Sequence, residues 1–188
     1  MAKWYVVLCS GRARMLVAMS MHGTAAYRPH TGSLPPLVER ALSAARRHGF
    51  GHSCRPEQGR LLHLLAGGAR RSIAETGTGC GVGLAWLASG AAADVQLLSV
   101  ERDPARAKVA ADVFAAKGGG AADPERLLEP GGVLVVDDFT PSRSWPPTYA
   151  GRTDTARLHW LEHPALRTVD LPLAADLSAL VAVRRTDL

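Results

Sequence analysis

Glu75-Thr76-Gly77-Thr78-Gly79-Cys80-Gly81-Val82-Gly83 is the stretch on which the reading of this chain turns. It follows a short run with strand character, 71–76, and precedes an apolar run with helical character, 84–89. Glycines in such a place permit a tight turn and a close approach of backbone to a ligand. The helix that follows offers unpaired amide donors at its N-terminus. Twenty residues beyond Gly81 the next candidate strand, 95–101, ends at Glu101, where a carboxylate can accept hydrogen bonds from both hydroxyls of a ribose. Together these features describe a nucleoside cofactor site.

The glycine register decides which nucleoside. The chain has 19 glycines in 188 residues, so spacing and neighbours count for more than number. A dinucleotide fingerprint needs G-x-G-x-x-G, but counting from Gly77 and Gly79 places Val82 at the third glycine, and counting from Gly79 and Gly81 places Leu84 there. An NAD(P)-linked oxidoreductase therefore loses its specific support. No G-x-x-x-x-G-K-[ST] occurs, which removes a phosphate-cradling P-loop.

Outward from the glycine stretch, apolar residues at helical spacing predict helices over 34–48 and 56–66, the first opened by prolines and closed by Arg46, Arg47, His48 and Gly49. Downstream, Pro104 opens a helix over 104–116, and a short helix over 124–128 leads through Pro130-Gly131-Gly132 into an apolar strand, 133–136, closed by Asp137 and Asp138. A Trp-Pro-Pro loop, a helix over 155–162 and two strands, 166–173 and 179–185, complete the chain, the last two suited to an antiparallel hairpin. Strands alternating with helices predict a parallel α/β sheet. With no repeat or low-complexity linker, one domain is expected over 34–188, preceded by an irregular leader over 1–33 with at most a short strand at 4–8.

Composition narrows the setting. The 22 basic and 17 acidic residues give a net charge of +5, unevenly spread: residues 1–74 hold 11 Lys/Arg against 2 acids, residues 75–188 hold 11 against 15. The front arginines lie among alanines without aromatic interleaving, so a solvated face is expected and not a nucleic-acid site. Cys9, Cys54 and Cys80 are odd in number and far apart, which argues against a disulfide framework or structural zinc and fits a reducing cytoplasm. The most apolar stretch, 82–100, contains Ser89, Gly90, Asp94 and Gln96 and falls short of a membrane span.

An acid followed by G-x-G-x-G, with a second acid ending the next strand, resembles the cofactor motif of class I S-adenosylmethionine-dependent methyltransferases, closely over 71–116 and in outline over 34–188. Pro130-Gly131-Gly132 before the apolar strand, then Asp137-Asp138-Phe139, is similar to the strand preceding the active-site rim in bacterial O-methyltransferase-like members. The resemblance implies a Rossmann-like, mostly parallel sheet with helices on both faces, S-adenosyl-L-methionine as cofactor, and O-methylation of a small molecule. It places Glu75 near the cofactor's amino group, Gly77, Thr78, Gly79 and Gly81 along its methionine portion, Glu101 on the ribose, and Arg102 or Asp103 beside the adenine. Asp137 and Asp138 become the catalytic candidates. In cation-dependent members an Asp-Asn pair here ligates a divalent metal; this chain has Asp for the Asn, and two adjacent carboxylates can bind Mg²⁺ with help from other oxygens. Equally, the pair can simply end a strand and cap the next loop. Trp145, Tyr149, Arg157, His159, Trp160 and His163 follow that strand and can line an acceptor pocket, although helical spacing and neighbouring prolines favour packing for each.

The pattern breaks after the helix that follows Glu101. A complete class I fold supplies strand, helix, strand and helix before the Pro-Gly-Gly strand, whereas this chain has the 14 residues 117–130; each crossover alone needs at least ~10. The expectation is an incomplete sheet lacking the third and fourth strand region, with activity impaired. The alternative is a non-catalytic nucleoside-binding or interaction module derived from such an enzyme. The edge of the cofactor strand is then exposed unless strand 133–136 moves in beside it or another chain pairs there, as in a homodimer. The expected partner is a small-molecule methyl acceptor, with neither membrane nor nucleic acid involved.

Overall fold

The computed structural model describes residues 3–5, 22–27, 33–114 and 131–186. Among them the main sheet has six strands in the order β3-β2-β1-β4-β8-β7. These are β1 (Lys3–Tyr5), β2 (Ser72–Thr76), β3 (Gln96–Val100), β4 (Val133–Phe139), β7 (Leu166–Ala174) and β8 (Leu177–Arg184). A small hairpin, β5 (Thr148–Tyr149) with β6 (Arg152–Thr153), stands apart. β3, β2, β1 and β4 run parallel. β8 and β7 continue the sheet antiparallel, forming the closing hairpin that the sequence predicted.

The helices are where the apolar periodicity placed them. In α2 (Pro36–Arg47), Val38, Ala41, Leu42 and Ala45 form the buried stripe, and the helix ends at His48 with Gly49 in the left-handed conformation. α3 (Pro56–Ala66) opens with a capping box in which Gln58 accepts from the Arg55 backbone N–H at 2.7 Å. α4 (Val82–Gly90) follows the glycine stretch and buries Val82, Leu84, Ala85, Trp86 and Leu87, as befits a helix packed on several sides. α5 (Pro104–Phe114) and α6 (Thr155–Leu161) complete the longer helices.

Alternation along the strands builds two cores. Val135 of β4 and Ala179 of β8 point to the face covered by α2, α3 and α4, joining Leu42, Leu62, Ile73 and Trp86. Leu134, Val136, Leu180 and Ala182 point to the other face, against Trp160 and Leu161 of α6. Helices therefore lie on both faces, and the fold is α/β and Rossmann-like as predicted.

The expectation of an irregular leader over 1–33 needs correction in its described parts. β1 lies between β2 and β4, with Lys3 in register with both Ile73 and Val133, and the short α1 (Gly23–Ala26) precedes Tyr27, which is buried in the first core. The edge of β2, expected to be exposed unless strand 133–136 or another chain covered it, is paired instead with β1, and strand 133–139 lies one place further on. The short strand expected at 4–8 overlaps β1, but its place between two strands distant in sequence left no neighbouring pattern to announce it. The interval 117–130, with its expected helix over 124–128, lies outside the described residues.

Candidate functional site

Parallel pairing brings the C-terminal ends of β2, β3 and β4 to one edge of the sheet, where crevices of open α/β sheets bind ligands. The turn leaving β2 forms the centre of that edge. Gly77 has φ +81° and, among the described residues, an added Cβ there would meet nothing within 4 Å, so no described residue closes the turn on that side. Gly79 and Gly81 behave differently: a Cβ on Gly79 would lie 2.7 Å from the Phe50 ring, and on Gly81 2.9 Å from the Phe114 ring. The sequence grouped the three together beneath a ligand. Among the described residues the structure separates them into one glycine with nothing over it and two closed over by the chain's own aromatics.

Glu75 sits on β2 in register with Ser99 of β3. Its side chain is buried, and Ser99 Oγ donates to Oε2 at 2.8 Å. Ser99 has one proton to give, so it accepts from the hydroxyl of Thr78, and the three side chains form a chain from the turn to the buried acid. Burial pushes the Glu75 carboxyl up to about 8; the Ser99 bond opposes the shift and the nearby Glu101 adds to it. Directly above, a Cβ on Gly83 would fall 2.3 Å from Glu75 Oε1, which explains why the first turn of α4 carries glycine there.

Glu101 follows β3 and turns back onto the glycine loop. Its Oε2 accepts the Gly79 N–H at 2.7 Å and its Oε1 the Asp103 N–H at 2.9 Å. Each oxygen spends one acceptor position on backbone, and a carboxylate offers about four in all, so both oxygens can still accept from a diol. Asp103 caps α5 through the Ala105 N–H at 2.9 Å and pairs with Arg106 at 3.2 Å. Arg106 in turn lies over the Phe50 ring, 5.2 Å from its centroid. Arg102 is exposed beside this cluster. Cys80 is buried within the turn, and desolvation raises its thiol, with Arg106 opposing and Glu101 and Asp103 adding.

Phe50, Ser99, Arg106 and Phe114 escaped the sequence reading. Ser99 alone left a signal, as a hydroxyl in an otherwise apolar run two residues before Glu101. Phe50 belongs to a loop held from the N-terminal segment, where the Thr24 hydroxyl lies 2.6 Å from the Phe50 carbonyl and 2.8 Å from Ser53 Oγ. Tyr27 completes that anchor by donating to the Cys54 carbonyl at 2.8 Å and accepting from Trp86 Nε1 at 2.9 Å.

At the third strand end, β4 continues through Asp137 and Asp138 to Phe139, past the predicted stop at 136. Val136 pairs with Leu180 and Phe139 with Ser178, so three steps on β4 match two on β8 and the backbone bulges at the two aspartates. Bulges of this kind recur next to active sites. The side chains of Asp137 and Asp138 lie outside the description. Among the described residues no three His, Cys, Asp or Glu gather as a metal site.

Of the other candidates, Trp160 is buried in the second core and Arg157 is wholly buried, in line with packing. Trp145 and Tyr149 stand exposed on the loop and hairpin after β4, His159 is exposed and His163 half-buried. Among the described residues no helix is long and apolar enough to cross a membrane.

No protein-family model matches the sequence, and no curated protein matches it. Solved structures do. An O-methyltransferase from Bacillus cereus in complex with SAH aligns at TM-score 0.61 and 18% identity, over 81% of this chain and 92% of that one. The cofactor-bound protein Rv0187 from MTB aligns at TM-score 0.63 and 26% identity, over 81% and 92%. The O-methyltransferase TomG from Streptomyces achromogenes, involved in tomaymycin synthesis and in complex with SAM, aligns at TM-score 0.58 and 21% identity, over 81% and 91%.

Proposed function

We propose that this chain, which has the fold of the class I O-methyltransferases, is an S-adenosylmethionine-dependent methyltransferase that methylates an oxygen of a small molecule. The observation that carries the reading is the pairing of an open glycine turn after β2 with a carboxyl at the end of β3 that is tied to the same turn through Gly79. Neighbouring structures that contain SAH or SAM support it.

The residues fit such a cofactor. S-adenosylmethionine supplies a sulfonium methyl group open to in-line displacement by the acceptor oxygen. Glu101 has acceptor positions for the two ribose hydroxyls, and among the described residues nothing stands over Gly77. Glu75, with its carboxyl raised to about 8, is mostly protonated at neutral pH and presents the turn with a neutral acid linked through Ser99 to Thr78. Such a displacement asks chiefly for alignment and exclusion of water. We assign to Asp137 and Asp138, in the bulged stretch of β4, the role of receiving the proton an acceptor hydroxyl gives up. A cytoplasmic setting rests on the sequence alone, whose three cysteines are odd in number and far apart.

Isothermal titration with S-adenosylhomocysteine and, separately, NADH tests the cofactor half, and binding of the first alone is expected. Methyl transfer from labelled S-adenosylmethionine to a phenol and catechol panel, with and without Mg²⁺, tests the catalytic half. Binding without transfer to any acceptor would favour a non-catalytic module, and tight NADH binding would reject the reading.

A further inference from the structure

Arg157 of α6 is wholly buried, yet the cofactor turn does not use it. Its guanidinium gathers three elements: Nε donates to Asp154 Oδ2 at 3.2 Å at the start of α6, Nη1 to Asp170 Oδ2 on β7, and Nη2 to the carbonyl of Thr140 just past β4. It also lies over the Phe139 ring, 5.0 Å from the centroid. Asp154 is fixed from both sides, because it also accepts the Arg157 backbone N–H at 3.0 Å as the helix cap.

A charge buried this deeply is poor value as a stabiliser, since an apolar side chain of similar size often does as well or better. What it adds is direction. Arg presents donors in a rigid fork, and here one prong ends on backbone, at the first residue after β4. Phe139 and Thr140 immediately follow Asp137 and Asp138, where the pairing of β4 with β8 is interrupted after Val136 and resumes at Phe139 with Ser178. The Arg157 contacts to the Phe139 ring and the Thr140 carbonyl add a second constraint to that pairing, beyond the end of the strand.

Resting on the methyltransferase reading above, we propose that Arg157 is a positioning residue for methyl transfer. By holding Phe139 and Thr140 it sets the geometry of the bulged Asp137-Asp138 rim against the cofactor turn. It touches neither cofactor nor acceptor. Displacement of a reacting group by about 1 Å can cost about a hundredfold in rate, so loosening this rim should appear in turnover and not in cofactor binding.

The test compares wild type with Arg157→Lys, which keeps the charge and loses the fork, and with Asp170→Asn, a milder change on the same clamp. S-adenosylhomocysteine affinity is measured by titration, and kcat and KM with the best acceptor from the phenol and catechol panel. The expected result is an unchanged Kd for S-adenosylhomocysteine in both variants. In Arg157→Lys kcat falls by about tenfold to a hundredfold with little change in acceptor KM, and in Asp170→Asn the same pattern appears more weakly. A lysine variant whose Tm drops while kcat holds would overturn the proposal, because the role would then be structural only. So would a loss of cofactor affinity that accounts for the loss of rate. A wild-type chain that binds S-adenosylhomocysteine but methylates nothing in the panel overturns the proposal and leaves the cofactor half of the reading standing; a chain that does not bind it overturns both.

Discussion

Glu101 Oε2 accepts the backbone N–H of Gly79 across 2.7 Å, joining the end of β3 to the turn that leaves β2. One carboxyl therefore shapes the turn and, with its remaining acceptor positions, offers itself to a ligand lying there. Glu101→Gln keeps an oxygen for backbone but can accept from only part of a diol, and Glu101→Ala removes both. A hydrogen bond to a charged group contributes about 1.5–3 kcal/mol, so S-adenosylhomocysteine binding should weaken by roughly tenfold to a hundredfold in the glutamine variant and further in the alanine variant. Titration calorimetry reads this directly, and affinity within twofold of wild type would mean that Glu101 serves the turn alone.

Glu75 should make stability fall as pH rises. Its carboxyl is raised from 4.5 to about 8 in the folded chain, so between those values the folded state keeps a proton that the unfolded state has lost. Stability contributed by the buried neutral acid is complete below about 4.5, declines through the window and is gone above about 8, with a limiting slope of about 1.4 kcal/mol per pH unit. Glu75→Gln mimics the neutral acid at every pH and abolishes this contribution. The difference in Tm between wild type and Glu75→Gln should therefore shift in favour of the variant between pH 4.5 and about 8. Parallel Tm curves across that range would show that Glu75 is ionised inside the fold.

What the sequence made legible was local. Leu34 to Ala45 and Leu61 to Leu65 repeat at helical spacing, and α2 and α3 lie there; Gly77 to Gly83 followed by Glu101 marks two strand ends one crossover apart, and they adjoin in the sheet. What stayed hidden was nonlocal. The pairing of Lys3 with Ile73 and Val133 joins segments about 70 and 130 residues apart, and parallel strands leave no hairpin turn to betray their register. Phe50 against Gly79 depends on the Thr24 and Tyr27 anchors holding a loop that has no periodicity of its own. Arg157 carries a residue type usually found at the surface, and only the positions of Asp154, Asp170 and Thr140 in three dimensions reveal it as buried.

Gly77 and Gly83 should fail in different ways when replaced by alanine. At Gly77 the added methyl meets no described residue within 4 Å but the backbone has φ +81°, a conformation that costs a side chain about 1–2 kcal/mol. The methyl also projects into the open side of the turn, so S-adenosylhomocysteine affinity should fall more than Tm. At Gly83 the methyl would stand 2.3 Å from Glu75 Oε1, and the strain falls on the packing of α4 against β2, costing about 1–3 kcal/mol and lowering Tm first. Paired thermal melts and titrations on the two variants separate these effects, and an equal loss of affinity at constant Tm in both would remove the distinction between the open and closed sides of the turn.

Gly90 is the position where the least relief is available. A Cβ there would sit 2.2 Å from the His63 carbonyl oxygen and 2.9 Å from its carbon, so the obstacle is the backbone of α3 and not a side chain that can swing aside. The neighbouring contact is as tight, with the Trp86 indole 2.1 Å from a Cβ on Gly59, but there the ring can turn, giving up its hydrogen bond to Tyr27 at 2.9 Å. Gly90→Ala must push α3 and α4 apart along their whole contact and should cost about 3 kcal/mol, the upper end of ordinary overpacking. Gly59→Ala should cost less and should release Trp86, visible as a change in its fluorescence. Denaturant melts of the two variants rank them, and a Gly90→Ala chain as stable as wild type would show that the helices do not approach as closely as the carbonyl contact requires.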